Sequence, residues 1–210
     1  MAQERTDEEL LAAYQHGDVG AFELLLRRHR APLYTFLLRM LGDRTKAEDL
    51  AQETFLRIVK GAQEWEHRAR FQTWLFTIAR NLCADHARRD RFRRADSLDA
   101  EGPGGEAPLV DSVPGEGPDP ARGAESARLR PVLAQALSGL PPDQREVFLL
   151  REQAGLQFKE IADLTGANEN TVKSRMRYAL EGLRKALLAA GVDADTAQDD
   201  PAPGVRLGRA

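Results

Sequence analysis

Lys173, Ser174, Arg175, Arg177 and Tyr178 stand within six residues of one another, in a run that reads NTVKSRMRYALEGLRKAL from Asn170 to Leu187. Arg and Lys donate to guanine O6 and N7, Ser bonds either partner of a base pair, and all of them hold phosphate oxygens. That is chemistry for recognising DNA rather than for breaking bonds. In the same run Val172, Met176, Leu180 and Leu183 recur at helical spacing, so the run is predicted to be a helix with these four facing a core. A basic, solvated helix in an ordinary bundle would carry the same charge. The preceding element favours DNA. Phe158 to Thr165 carries Ile161, Ala162 and Leu164 on one face and stops at Gly166, a residue suited to leaving a helix through a left-handed turn. Asn170 or Thr171 is expected to cap the second helix. Two helices joined so tightly make a helix-turn-helix, whose second helix is sized for a DNA major groove.

Two further groups carry chemistry of association. Trp65 to Arg89 mixes aromatic with basic side chains. Unpaired bases stack on aromatic faces for about 1–3 kcal/mol each while arginines hold the backbone. Within it, Phe71 and Trp74 share helical spacing with Leu75 and Ile78 and read as core. Upstream, Asp49, Gln52 and Glu53 form a polar stripe opposite Leu50, Phe55 and Ile58. Such a stripe pairs with arginines of a partner helix, although a solvated acidic face has the same composition.

Nothing here is arranged for catalysis. Glu48, Asp49 and Glu53 would be the acids of a magnesium-dependent nuclease, but neighbouring helical residues point about 100° apart, and neither folded part has a second acidic cluster. Histidines 16, 29, 67 and 86 are scattered. The single cysteine, Cys83, lies among Phe76, Ile78, Ala79 and Leu82 and reads as a small buried hydrophobe, with no disulfide available. No catalytic residue, metal or cofactor is expected.

The elements that must position these groups are all helical. Asp7 is expected to cap a first helix bearing Leu10, Leu11 and Tyr14, ended by Gly17-Asp18. Ala21 to Leu41 repeats apolar residues until Gly42; a third helix runs from Thr45 or Lys46 to Val59 and a fourth from Phe71 to Arg89. Leu129 to Leu140 precedes Pro141-Pro142, which break one helix and open the next, Asp143 to Gln153. No segment sustains the alternation of a half-buried strand, so the fold class is all-α.

A net charge of −3 hides two basic patches. Arg80 to Arg94 has six Arg against two Asp, and Thr171 to Lys185 has five Lys/Arg against one Glu. Screening beyond roughly 10 Å makes these local excesses matter more than the total. Between them, Asp96 to Glu125 holds eight Asp/Glu, five Pro, six Gly and no aromatic. It cannot bury enough apolar surface to offset chain entropy, and it is read as a flexible acidic linker. Two domains result: 1–95, and 126–190 beyond a linker at 96–125, with 191–210 as a loose tail. The N-terminus lacks the apolar core of a signal peptide and no apolar run approaches a membrane span, so a cytoplasmic protein without stable membrane insertion is expected.

Three stretches together resemble the extracytoplasmic-function group of bacterial RNA polymerase sigma factors, within the sigma-70 family. AEDLAQETFLRI (Ala47 to Ile58) resembles the helix that grips the clamp helices of the polymerase largest subunit. FQTWLFTIARNLCADHARR (Phe71 to Arg89) resembles the segment that melts and reads the −10 element, and LPPDQREVFLLRE (Leu140 to Glu152) with the helix-turn-helix resembles the −35-reading domain. The likeness covers about Glu8 to Ala190 except the linker.

The resemblance implies a promoter-specificity factor that binds core RNA polymerase and promoter DNA. Asp49, Gln52, Glu53 and Phe55 would meet polymerase. Arg80, Asn81, Asp85, Arg88 and Arg89 would meet the −10 DNA, with a flipped base near the loop Glu66 to Arg70. Lys173, Ser174, Arg177 and Tyr178 would meet the −35 element, and Arg175 a phosphate. The loop reads EHRAR where the family often has Arg-Gly followed by an acidic or small residue. An anti-sigma factor is the implied regulator. The linker would thread toward the active-site cleft and RNA exit channel, either occupying basic polymerase surface or serving as a solvated tether. A stand-alone operator-binding regulator is the rival; it leaves Ala47 to Arg89 without a task.

Overall fold

The computed structural model describes residues 5–66, 69–96 and 120–192, which fall into two units divided between residues 107 and 108. Among the described residues there are eight α-helices, a 3-10 turn and no strand. The fold is all-α.

The first unit contains α1 (Asp7–Gln15), α2 (Val19–Leu41), α3 (Arg44–Gly61), a 3-10 turn (Ala62–Glu64) and α4 (Phe71–Asp96). Thr6, not Asp7, caps α1: its hydroxyl accepts from the Glu9 N–H and the Glu9 carboxylate accepts from the Thr6 N–H. This reciprocal box occupies Thr6 and leaves Asp7 free to reach α2. Asp18 caps α2 and Asp43 caps α3, while Gly42 ends α2 in the left-handed region at φ 69°. α2 packs on α1 and α3, and α4 closes against α2 and α3. Leu10, Leu25, Leu33, Phe36, Leu37, Ile58, Phe71, Leu75 and Phe76 fill the interior. Phe36 meets Phe76 edge-on, with ring centroids 5.3 Å apart.

The second unit contains α5 (Pro120–Ser138), α6 (Pro142–Glu152), α7 (Phe158–Thr165) and α8 (Glu169–Ala189), with α8 packed on the other three. Leu137, Leu140, Val147, Leu149, Leu150, Leu156, Ile161, Val172 and Leu183 form its core. Leu180, expected there, is 40% exposed, and Ala179 is buried in its place. The inward positions 172, 176, 179 and 183 follow the 3.6-residue turn, and Leu180 lies one residue, about 100°, off it.

The helices flanking the acidic segment are longer than the sequence suggests. α4 continues past Arg89 to Asp96, because Asp90 to Asp96 contains no Gly or Pro, and α5 begins at Pro120, inside the stretch expected as linker. Residues 97–119 and the tail from 193 lie outside the described residues.

Candidate DNA and polymerase interfaces

In the second unit, Gly166 (φ 68°) takes the chain out of α7, and Asn168 starts α8 by accepting from the Thr171 N–H at 2.8 Å. The cap therefore precedes the expected Asn170 or Thr171, which lie inside the first helical turn. With Val172, Met176 and Ala179 buried, Lys173, Ser174, Arg177 and Tyr178 are exposed together. Arg175 is turned away from that set, its Nε donating to Asp143 Oδ2 of α6 at 2.9 Å. Lys173 Nζ is 2.7 Å from Glu169 Oε1, one helical turn back. The Arg177 guanidinium lies over the Tyr178 ring, 5.0 Å from its centroid. Asn168, Glu169, Asn170, Thr171, Lys173 and Ser174 line a shallow depression at the start of α8.

On α3, Ala47, Thr54 and Ile58 face the core. Asp49 and Gln52 are exposed and Glu53 and Phe55 half-buried. Arg57 Nε donates to Glu53 Oε1 at 2.8 Å, and that bond holds the Glu53 carboxyl below its usual range. Leu56 is 53% exposed and stands between Gln52 and Glu53 on the helical wheel, directly opposite the core. Val59 is also exposed. The polar stripe thus has apolar side chains within it, which the sequence reading passes over; the signal is the spacing Gln52, Leu56, Val59.

α4 presents the third face. At about 100° per residue, Trp74, Asn81, Asp85 and Arg88 fall within about 60° of one another, opposite the buried row Leu75, Phe76, Ala79, Leu82 and Cys83. Arg89 is exposed at the flank of this stripe; Arg80 lies off it and is half-buried. Asp85 Oδ1 is 3.6 Å from Arg88 Nη1. His86 Nδ1 faces Asp90 Oδ2 at 3.3 Å, one helical turn on.

Phe71 and Trp74, both expected in the core, separate. Phe71 is 1% exposed, whereas Trp74 is half-buried and stacks on Trp65, with ring centroids 6.2 Å and ring planes 30° apart. Gly61, Glu64, Trp65, Glu66 and Trp74 line a shallow depression at one end of the α4 stripe. In the adjoining loop Glu66, Ala69 and Arg70 are described; His67 and Arg68 lie outside the described residues.

No helix among the described residues is long and apolar enough to cross a membrane, and no group of three His, Cys, Asp or Glu among them could hold a metal ion.

Residues 25–93 match the model of Sigma-70 region 2, and residues 131–183 match that of Sigma-70, region 4. The chain is 33% identical to the ECF RNA polymerase sigma factor SigE of Mycolicibacterium smegmatis, over 81% of this chain and 64% of that one, so it spans just under two thirds of that relative. It is 34% identical to RNA polymerase sigma factor CarQ of Myxococcus xanthus, over 83% of this chain and 93% of CarQ. Among solved structures, the sigma factor RpoE in complex with the anti-sigma factor NepR, from Bartonella quintana, superposes with a TM-score of 0.63 at 26% identity, covering 79% of this chain and 96% of that one. With both sigma regions matched in order and CarQ covered almost end to end, the chain belongs to the ECF RNA polymerase sigma factors of the sigma-70 family.

Proposed function

We propose that this sigma factor docks core RNA polymerase on α3, reads a −35 element with α8, and melts and holds a −10 element with α4 and the Trp65–Trp74 depression. The observation that carries the proposal is the outward set on α8. Lys173, Ser174, Arg177 and Tyr178 project from the first turns of a helix that is set off by the left-handed Gly166. Those turns are the ones a helix-turn-helix inserts into the major groove. Two further features support the other roles. Leu56 amid Asp49, Gln52 and Glu53 makes a small apolar centre with a polar rim, the usual anatomy of a protein interface. The stacked Trp65 and Trp74, continuous with Asn81, Asp85 and Arg88, provide a ring for an unpaired base and polar groups for its strand.

The chain would be controlled by an anti-sigma factor. The solved relatives RpoE with NepR and CnrH with the cytosolic domain of CnrY, the latter at 28% identity and TM-score 0.59, support that assignment. The protein acts by binding, with no catalytic residue of its own, and works in the cytoplasm.

Reconstituted transcription tests the proposal. Core polymerase is supplied with and without the protein on a library of randomised promoter fragments. Transcripts that start downstream of two shared, spaced elements only when the protein is present are expected. Specific duplex binding with no protein-dependent transcript would identify a stand-alone regulator instead.

A further inference from the structure

The helix α1 touches both sides of the connection between Trp65 and Phe71. Gln15, at its C-terminal end, donates through Nε2 to the carbonyls of Ala62 at 2.7 Å and Trp65 at 3.0 Å. Glu8, at its N-terminal end, accepts the Phe71 N–H on Oε1 at 2.9 Å. Seven residues separate Gln15 from Glu8, two helical turns or about 10.5 Å, so both lie on one side of α1. α1 is itself fixed to α2, because Asp7 bonds Arg28 Nη1 at 2.9 Å and accepts from His29 Nε2. His29 in turn packs against Phe71, with ring centroids 5.2 Å apart.

These contacts span 47 to 63 residues of sequence and end on the residues that set the two tryptophans. Trp65 follows the 3-10 turn that Gln15 holds through Ala62. Trp74 lies one helical turn after Phe71, whose N–H Glu8 satisfies at the start of α4. A stacking site works only if its ring is held before the base arrives, since ordering it on binding subtracts from the affinity. We infer that Gln15 and Glu8 are positioning residues for −10 recognition: α1 is a splint that fixes Trp65 and Trp74 in place for an unpaired base. The inference rests on the −10 role proposed above and gives α1, which none of the three interfaces uses, a function.

Hydrogen-bond chemistry selects the variants. Gln15→Glu keeps the size and removes both donors, setting a carboxylate against two carbonyl oxygens. Glu8→Ala removes the acceptor for Phe71 N–H, whereas Glu8→Gln retains an amide oxygen that still accepts. Each is made in the full chain and assembled with core polymerase on a promoter selected from the random library. Permanganate oxidation of unpaired thymines then reads −10 melting.

Gln15→Glu and Glu8→Ala are expected to reduce the melted fraction about tenfold, the loss of one or two partly buried hydrogen bonds, while affinities for core and for a −35 duplex stay within about twofold. Glu8→Gln should melt as wild type does. Trp65 and Trp74 are the chain's two tryptophans, so the emission of the free protein reports this corner alone. Emission should move to longer wavelength in Gln15→Glu and Glu8→Ala and remain in place in Glu8→Gln.

Wild-type melting by both disruptive variants overturns the splint. So does a parallel loss of core binding, which would mean general unfolding, or a Glu8→Gln as defective as Glu8→Ala. A wild-type holoenzyme that initiates from its promoter without reactive thymines in the −10 segment overturns the −10 role itself, and the splint with it.

Discussion

Arg175 Nε donates to Asp143 Oδ2 at 2.9 Å, tying α8 to the first turn of α6. The guanidinium is therefore partly covered and paired across two helices, whereas the exposed Lys173 and Arg177 make their contacts within α8 itself. A charge paired this way orients α8 against α6, and a phosphate contact by Arg175 would compete with Asp143 for it.

The salt dependence of −35 binding separates the two roles. Each phosphate contact contributes close to one unit of slope of log K against log salt. Lys173→Ala is expected to lower duplex affinity and flatten that slope by about one unit. Arg177→Ala, if its contact is to a base edge, should cost roughly 1–3 kcal/mol and relax sequence preference. Arg175→Ala should leave the slope unchanged and lower the stability of the unit by about 0.2–1 kcal/mol, as befits a partly exposed ion pair. A flatter slope for Arg175→Ala would show that it leaves Asp143 for DNA.

Polymerase binding is expected to depend on both kinds of side chain on α3. Asp49→Arg with Glu53→Arg reverses the stripe and should abolish core binding without altering the fold, because both groups lie on the outer face of the helix. Leu56→Ser removes the apolar centre; about 1 kcal/mol of transfer free energy corresponds to an affinity roughly fivefold weaker. Titration of labelled core with each variant measures this, and unchanged affinities would remove α3 from the interface.

The sequence is legible wherever the determinants are local. Gly166 and the spacing of Val172, Met176 and Leu183 define the helix-turn-helix from adjacent residues alone, and the structure keeps all four in those roles. Local ambiguity produces the small errors. Asn168, Asn170 and Thr171 are all competent caps, and only the turn leaving Gly166 selects Asn168. Ala179 and Leu180 are adjacent apolar residues, and helical phase decides which is buried. What stays hidden is long-range. Gln15 is one more polar residue on an amphipathic helix until Trp65, 50 residues away, is brought to its amide. Phe71 and Trp74 share a spacing, and only the packing of α1 and α3 around α4 separates core from depression.

Stability should fall in acid in a way that Asp7 explains. The hydrogen bond from His29 is the largest influence on its carboxyl and, with Arg28, holds it below the ordinary value of 3.8 against partial burial. A carboxyl depressed in the folded state binds fewer protons there than in the unfolded chain. Its stabilisation is therefore complete above about pH 4 and is lost as pH falls through the lower folded value. Asp7→Asn should lower stability near neutral pH by about 1–3 kcal/mol, the range for losing a charge-assisted bond. The gap to wild type should close below about pH 4. Urea denaturation at several pH values measures both; a gap that persists into acid would mean that the contact acts through packing.

Gly61 offers a test of the tryptophan site that does not pass through α1. It is the last residue of α3, and a Cβ built on it would lie 3.1 Å from Trp74 Cζ2 and 3.6 Å from Cη2. Its backbone, at φ −92° and ψ −6°, is open to alanine without strain. Gly61→Ala therefore combines a gain in helix propensity of up to about 1 kcal/mol with a push of a few tenths of an ångström on the Trp74 ring. The ring can give, since it borders an open depression, so the melting temperature should hold or rise. The stack with Trp65 cannot be kept unchanged, and −10 melting by the assembled polymerase should drop several-fold while −35 binding persists. Improved stability with impaired melting is an outcome that loss of fold does not produce. Full melting activity in Gly61→Ala would mean that the position of Trp74 is immaterial and would remove the depression from the −10 interface.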